Sequence, residues 1–190
     1  AKYIDALRKT AKDYKKSYKL TKLRTICSTG SPLSGDGFNY VYKNIKKDVH
    51  LASISGGTDI VSCFVLGNLY QPVYSGEIQN KALGMDVRVF NENGQSVLNK
   101  KGELVCVNPF PSMPLKFWND KNDKKFENAY FNKFKNIWYH GDYAKITNKN
   151  GFIISGRSDT TLNPGGVRLG TAEIYSEIER FNEIKESLVV

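Results

Sequence analysis

Residues Leu23–Leu33 read LRTICSTGSPL, and the fold turns on this stretch. Leu23 to Cys27 is a short, mostly apolar run of strand length, and Thr29-Gly30-Ser31-Pro32 breaks it. Ser34 then stands as the N-cap of a helix over about residues 35–45. VHLASISGG (Val49–Gly57) reads as a second strand, closed by Gly56-Gly57. Strand, turn, helix, strand is the order of a parallel α/β unit. Upstream, Tyr3, Leu7, Ala11, Tyr14 and Tyr18 fall at helical spacing and predict one helix over Tyr3–Tyr18.

The texture changes near Gly67. Short β-like runs divided by Gly, Asn and Pro follow to about Trp118, among them GMDVRVFNENGQSV (Gly84–Val97) and GELVCV (Gly102–Val107). The NENG turn after Phe90 is a hairpin signal, and no helical pattern returns before Asp120. GFIISGR (Gly151–Arg157) pairs with YAKIT (Tyr143–Thr147) across Asn148–Asn150. TAEIYSEIERF (Thr171–Phe181) is an amphipathic helix with Thr171 as N-cap, and ESLVV (Glu186–Val190) opens a further strand. The fold class is α/β, in three parts: a parallel α/β unit over 1–66, a small antiparallel β unit over 67–156, and a joint with the start of another small α+β unit over 157–190. Both ends of the sequence look cut, so the rest of a longer chain is an expected partner.

Composition sets outer limits. The 190 residues are 40% hydrophobic and 25% charged, as in globular chains. No apolar run is long enough to span a membrane, and AKYIDALRKTAKDYKKSY lacks the apolar centre of a secretory signal; a cytoplasmic location is the default. Cys27, Cys63 and Cys106 are far apart and odd in number, which disfavours a disulfide framework or zinc site. The net charge of +9 fits either a nucleic-acid surface or a lysine-rich bias. Lysine is spread along the chain and no recognition motif accompanies it, so no nucleic acid is expected.

Four segments put glycine or a small residue at a strand end beside a charged or hydroxyl group. In TGSP, Gly30, Ser31 and Pro32 offer a surface for a flat ring, or form an ordinary turn. In SGGTDI, Ser55, Gly56 and Gly57 free space at the end of a strand, where α/β sheets bind ligands. Thr58 offers a hydroxyl to phosphate, and Asp59 a hard oxygen ligand for Mg²⁺; a glycine-rich turn with a capping Asp is the plain alternative. In WYHGD, Asp142 can accept from two vicinal hydroxyls, or is a turn residue; His140 lacks an evident nucleophile to serve. In GRSDTTLNPGGVR, Arg157 and Arg168 are fixed cationic forks, Asp159 stands where a hinge fits, and Gly165-Gly166 let a ligand approach the backbone.

The order and spacing of these segments resemble the adenylate-forming superfamily of acyl-CoA synthetases. SGGTDI, GEIQNKALGMDV, GELVCVNPFPSMPLKFWND and GRSDTTLNPGGVRLGTAEIY are similar in particular to its acetoacetate-activating branch, the acetoacetyl-CoA synthetases. The resemblance implies an acid–thiol ligase that forms an acyl-adenylate from ATP with Mg²⁺, then transfers the acyl group to CoA and releases AMP. It implies that Gly30, Ser31 and Pro32 border adenine and that Ser55, Gly56 and Gly57 line the nucleotide and acyl pocket. Thr58 would touch phosphate and Asp59, where many members have Glu, would hold Mg²⁺. Asp142 would bind ribose with Ile154 packed nearby, Arg157 would contact ribose and Arg168 phosphate. Asp159 would be the hinge, and Gly165 and Gly166 part of the CoA approach. Gly56 stands where acetate-specific members carry Trp, so Gly56→Trp is expected to favour acetate. The family's phosphate loop and catalytic lysine are not in this sequence, which implies that it forms no adenylate by itself; the cut sheet implies exposed edges and self-association.

Overall fold

In a computed structural model, residues 1–10, 12–160, 169–178, 180–181, 183–184 and 186–189 are described. β1 (Thr25–Ser28) and β2 (His50–Ser53) run parallel, in register from Thr25 opposite His50 to Ser28 opposite Ser53. The crossover is α3 (Gly35–Tyr40), extended by a π-helical turn over Val41–Ile45. Ser34 caps α3 as the sequence predicts, its Oγ accepting from the Gly37 N–H at 3.2 Å. Phe38, Val41 and Leu51 are almost fully buried and join this helix to the strand pair.

The predicted N-terminal helix is interrupted. It forms α1 (Lys2–Lys9) and the single turn α2 (Tyr14–Ser17). The Leu7 carbonyl, which a continuous helix would spend four residues on, is taken by the Thr10 N–H, the Thr10 hydroxyl at 2.7 Å and the Tyr40 hydroxyl at 3.0 Å. Side-chain hydroxyls compete with the helix for that carbonyl, and one of them comes from 33 residues away.

Gly56 and Gly57 do not end β2. They lie within β3 (Ser55–Gly57), which pairs antiparallel with β4 (Ser62–Leu66), itself paired with β5 (Asn80–Lys81). The pairing bulges between Ser55 and Gly56. A Cβ at Gly56 would lie 2.5 Å from Cys63 Cα and closer still to the Ser62 carbonyl oxygen, so glycine lets the β4 backbone approach.

The larger sheet is antiparallel, in the order β6 (Val87–Phe90), β7 (Gly102–Cys106), β8 (Trp138–Ile146), β9 (Phe152–Arg157). The NENG turn forms, with Asn91 Oδ1 accepting from the N–H groups of Asn93 and Gln95, each at 3.0 Å. Its return arm makes only an isolated bridge at Ser96, and β6 takes β7 as its partner. β8 and β9 pair as predicted. One face of this sheet, with Val87, Val89, Leu104 and Trp138, forms the main core with Ile60, Phe64 and Phe126. Phe126 belongs to α4 (Lys124–Tyr130), between β7 and β8.

α5 (Thr171–Ile178) begins at Thr171 instead of being capped by it; the Glu173 carboxylate reaches back to accept from the Gly170 N–H at 2.8 Å. Residues 186–189 are irregular where a strand was expected; Val189 N–H donates to the Tyr175 hydroxyl, and no strand lies alongside among the described residues. No helix among the described residues is long and apolar enough to cross a membrane.

Candidate functional site

The site grows from the C-terminal ends of β1 and β2. The Ile54 N–H donates to the Ser28 carbonyl at 2.9 Å, so the Gly30-Ser31-Pro32 loop and the Ser55–Gly57 strand leave the parallel pair side by side. Gly30 takes φ +82° with open space where a side chain would stand. Ser31 is half-buried, while Pro32, Thr58 and Asp59 are exposed.

Gly57 joins this edge to β8. A Cβ there would stand 2.9 Å from His140 Cε1 and would overlap the Asp59 carboxylate. The His140 ring packs edge-on against Phe64, with centroids 4.7 Å apart. His140 Nε2 lies 3.7 Å from Asp142 Oδ2, and its buried Nδ1 has no hydrogen-bond partner.

Asp142 and Arg157 face each other across β8 and β9. Asp142 is only 8% exposed. Burial pushes its carboxyl above the usual carboxylate range, while His140 and Arg157 pull it back. The Arg157 guanidinium lies over Gly141, whose φ of +81° and missing side chain admit it. It donates to the His140 carbonyl at 2.9 Å and lies 3.6 Å from Asp142 Oδ1. It also donates to both Asp159 oxygens, at 3.1 and 2.8 Å. This two-pronged bond holds the Asp159 carboxyl below its ordinary value.

Asp59 has a partner that the sequence did not suggest. The Tyr130 hydroxyl donates to Asp59 Oδ2 at 2.6 Å. The two residues are 71 positions apart, and no local pattern links them. Burial first, and the Asp59 bond second, push the Tyr130 phenol far above its usual range. Asp59 is a single exposed carboxylate, and no cluster of three His, Cys, Asp or Glu is present among the described residues. That donor set suits Mg²⁺ shared with a substrate's phosphates, which needs only one or two protein carboxylates.

Of the predicted residues, Gly57, Asp59, Asp142, Arg157 and Asp159 thus come together, with Ser55 and Gly56 beside Gly57 on β3. Ile154 lies opposite Ala144 on β9, packed on the main core. Gly165, Gly166 and Arg168 lie outside the described residues.

No protein-family model matches the chain. It is 57% identical over its whole length to the acetoacetyl-coenzyme A synthetase of Rhizobium meliloti (strain 1021). It is 51% identical, again over its whole length, to the acetoacetyl-CoA synthetase of Macaca fascicularis. Over its whole length the chain is similar to one stretch of these acetoacetyl-CoA synthetases. It covers 29% of the Rhizobium meliloti synthetase and 28% of the Macaca fascicularis one. The solved acetoacetyl-CoA synthetase from Streptomyces lividans superposes with a TM-score of 0.89 at 39% identity, over 99% of this chain and 29% of that one. The anthranilate CoA ligase AuaEII, solved in complex with anthranoyl-AMP, shares the fold at 18% identity and a TM-score of 0.70, over 84% of this chain and 29% of that one. The α/β unit with an antiparallel sheet described above is shared with the Streptomyces lividans synthetase.

Proposed function

We propose that the chain forms the nucleotide-facing part of an ATP-dependent acetoacetate–CoA ligase. The observation that carries this reading is the convergence of Gly57, Asp59, Asp142 and Arg157 beside the C-terminal ends of β1 and β2, from three separate stretches of sequence. In the reaction, a carboxylate oxygen of acetoacetate attacks the α-phosphorus of ATP and pyrophosphate leaves. The CoA sulfur then attacks the acyl carbon and AMP leaves.

Gly30, Ser31 and Pro32 border adenine. Asp142 accepts from the ribose hydroxyls, and its burial makes an unpaired charge costly, so two donors arriving there are favoured. Arg157 adds a donor beside the ribose and is steered by Asp159, the proposed hinge. Ser55 and Gly56 line the pocket, with Ile154 behind. Thr58 donates to a phosphate oxygen, and Asp59 holds Mg²⁺. When bound, the cation neutralises phosphate charge. Arg168 is assigned to phosphate, and Gly165 and Gly166 to the CoA approach. The proposed division is 1–66, 67–156 and 157–190, and the proposed location is cytoplasmic.

The test is AMP binding followed by saturation-transfer NMR. AMP should show transfer to its ribose protons, and Asp142→Ala should weaken binding about tenfold or more, the scale of a lost bond to a charged group. Equal binding by the variant would count against the assignment.

A further inference from the structure

The Thr58–Val61 turn is held in a costly conformation. Val61 has φ +49°, a left-handed value that β-branched residues avoid, although its side chain is 88% exposed. Packing of Val61 therefore does not enforce it. Two neighbours do. Ile60 is fully buried in the main core, and Asp59 is bonded to Tyr130.

Tyr130 is built as a rigid donor. Its ring stacks on Trp138 with centroids 3.7 Å apart and planes 15° apart, and meets the edges of Phe126 and Phe117 at 5.4 and 5.7 Å. Trp138 is buried. The start of α4 is pinned by Asp120, which accepts from the N–H groups of Lys125 and Phe126 at 3.0 and 2.8 Å. The phenolic oxygen consequently has little freedom, and among the described residues it donates to Oδ2 of Asp59. Oδ1 lies on the Gly57 side, in space that a side chain at that position would fill.

We propose that Tyr130 is the positioning residue of the Asp59 carboxylate, fixing Oδ2 so that Oδ1 is presented to a divalent cation carried by the nucleotide. This rests on the assignment of Asp59 to the cation. Hydrogen-bonded supports of this kind orient a ligand and raise metal affinity without touching the metal. They also remove the rotamer freedom that a lone aspartate would lose on binding.

The test reads metal directly. Mn²⁺ uptake by the chain in saturating ATP is measured from the loss of the free-ion electron paramagnetic resonance signal, beside metal-free AMP binding and thermal unfolding. Tyr130→Phe keeps the ring stack and removes the hydroxyl. It should weaken ATP-dependent Mn²⁺ uptake about tenfold and leave metal-free AMP binding unchanged, while Asp59→Asn abolishes the uptake. Loss of uptake in Asp59→Asn with none in Tyr130→Phe overturns the role of Tyr130 and leaves that of Asp59 standing. A lower Tm in Tyr130→Phe with uptake unchanged also overturns it, since a purely structural pin behaves that way. A parallel fall in metal-free AMP binding does the same. Uptake indifferent to Asp59→Asn, or absent in the unaltered chain, overturns both assignments.

Discussion

Gly56 has no room for a side chain. The expectation that Gly56→Trp would simply close an acyl pocket meets a physical obstacle, because the Cβ direction runs into the backbone of Ser62 and Cys63. Even Gly56→Ala should cost about 1–3 kcal/mol by overpacking, read as a lower Tm, and Gly56→Trp should prevent β3 from pairing with β4. An unchanged Tm for Gly56→Ala would refute the close approach. Asp142 makes a different prediction. Its carboxyl is held above the ordinary value near 3.8, chiefly by burial. The folded chain therefore binds this proton more tightly than the unfolded chain. Stability falls as pH rises from about 3.8 through the raised value, and the deficit persists at neutral pH. Asp142→Asn removes the titration, so the Tm of the variant minus that of the unaltered chain should grow between about pH 3 and pH 7. A difference independent of pH would contradict this.

At the scale of elements, Glu173 ties α5 to the sheet. Glu173 accepts from Lys101 Nζ at 2.7 Å and from the Gly170 N–H at 2.8 Å, and Gly170 packs its backbone on Ser155. Both side chains are partly exposed, so the bridge is worth on the order of 1 kcal/mol or less. Glu173→Gln should speed amide exchange in α5 by roughly threefold and leave β7 and β8 unchanged; equal protection in α5 would show that the bridge does not hold it. The elements themselves were largely legible. The β1–α3–β2 order follows from strand-length apolar runs, the Gly30-Ser31-Pro32 break and the Ser34 cap, all local signals. The break after Lys9 was not legible, since the Tyr40 hydroxyl that helps to make it comes from another element. Gly56-Gly57 was misread because glycine marks both strand ends and bulges, and only the β4 partner decides between them. In the site, Asp59, Asp142 and Arg157 could be named because each sits within two residues of a glycine. Tyr130 could not, because its role depends on a contact 71 residues away.

At the scale of the molecule, β1 and β2 form a sheet of two strands whose outer edges are unpaired among the described residues. Leu83, Tyr70, Trp118 and Leu115 are each more than 90% exposed. Open edges and bare apolar side chains favour association, so light scattering should show a mass that rises with concentration; a constant monomer mass would contradict this. The central claim is that this segment serves acetoacetate activation. The most direct measurement replaces the matching segment of the Rhizobium meliloti synthetase, 57% identical, with this chain and follows ATP–pyrophosphate exchange. The account predicts exchange that depends on acetoacetate, exceeds that with acetate, and falls at least about tenfold with Asp142→Ala. A folded graft that shows no acetoacetate-dependent exchange, or that is indifferent to Asp142→Ala, would contradict it.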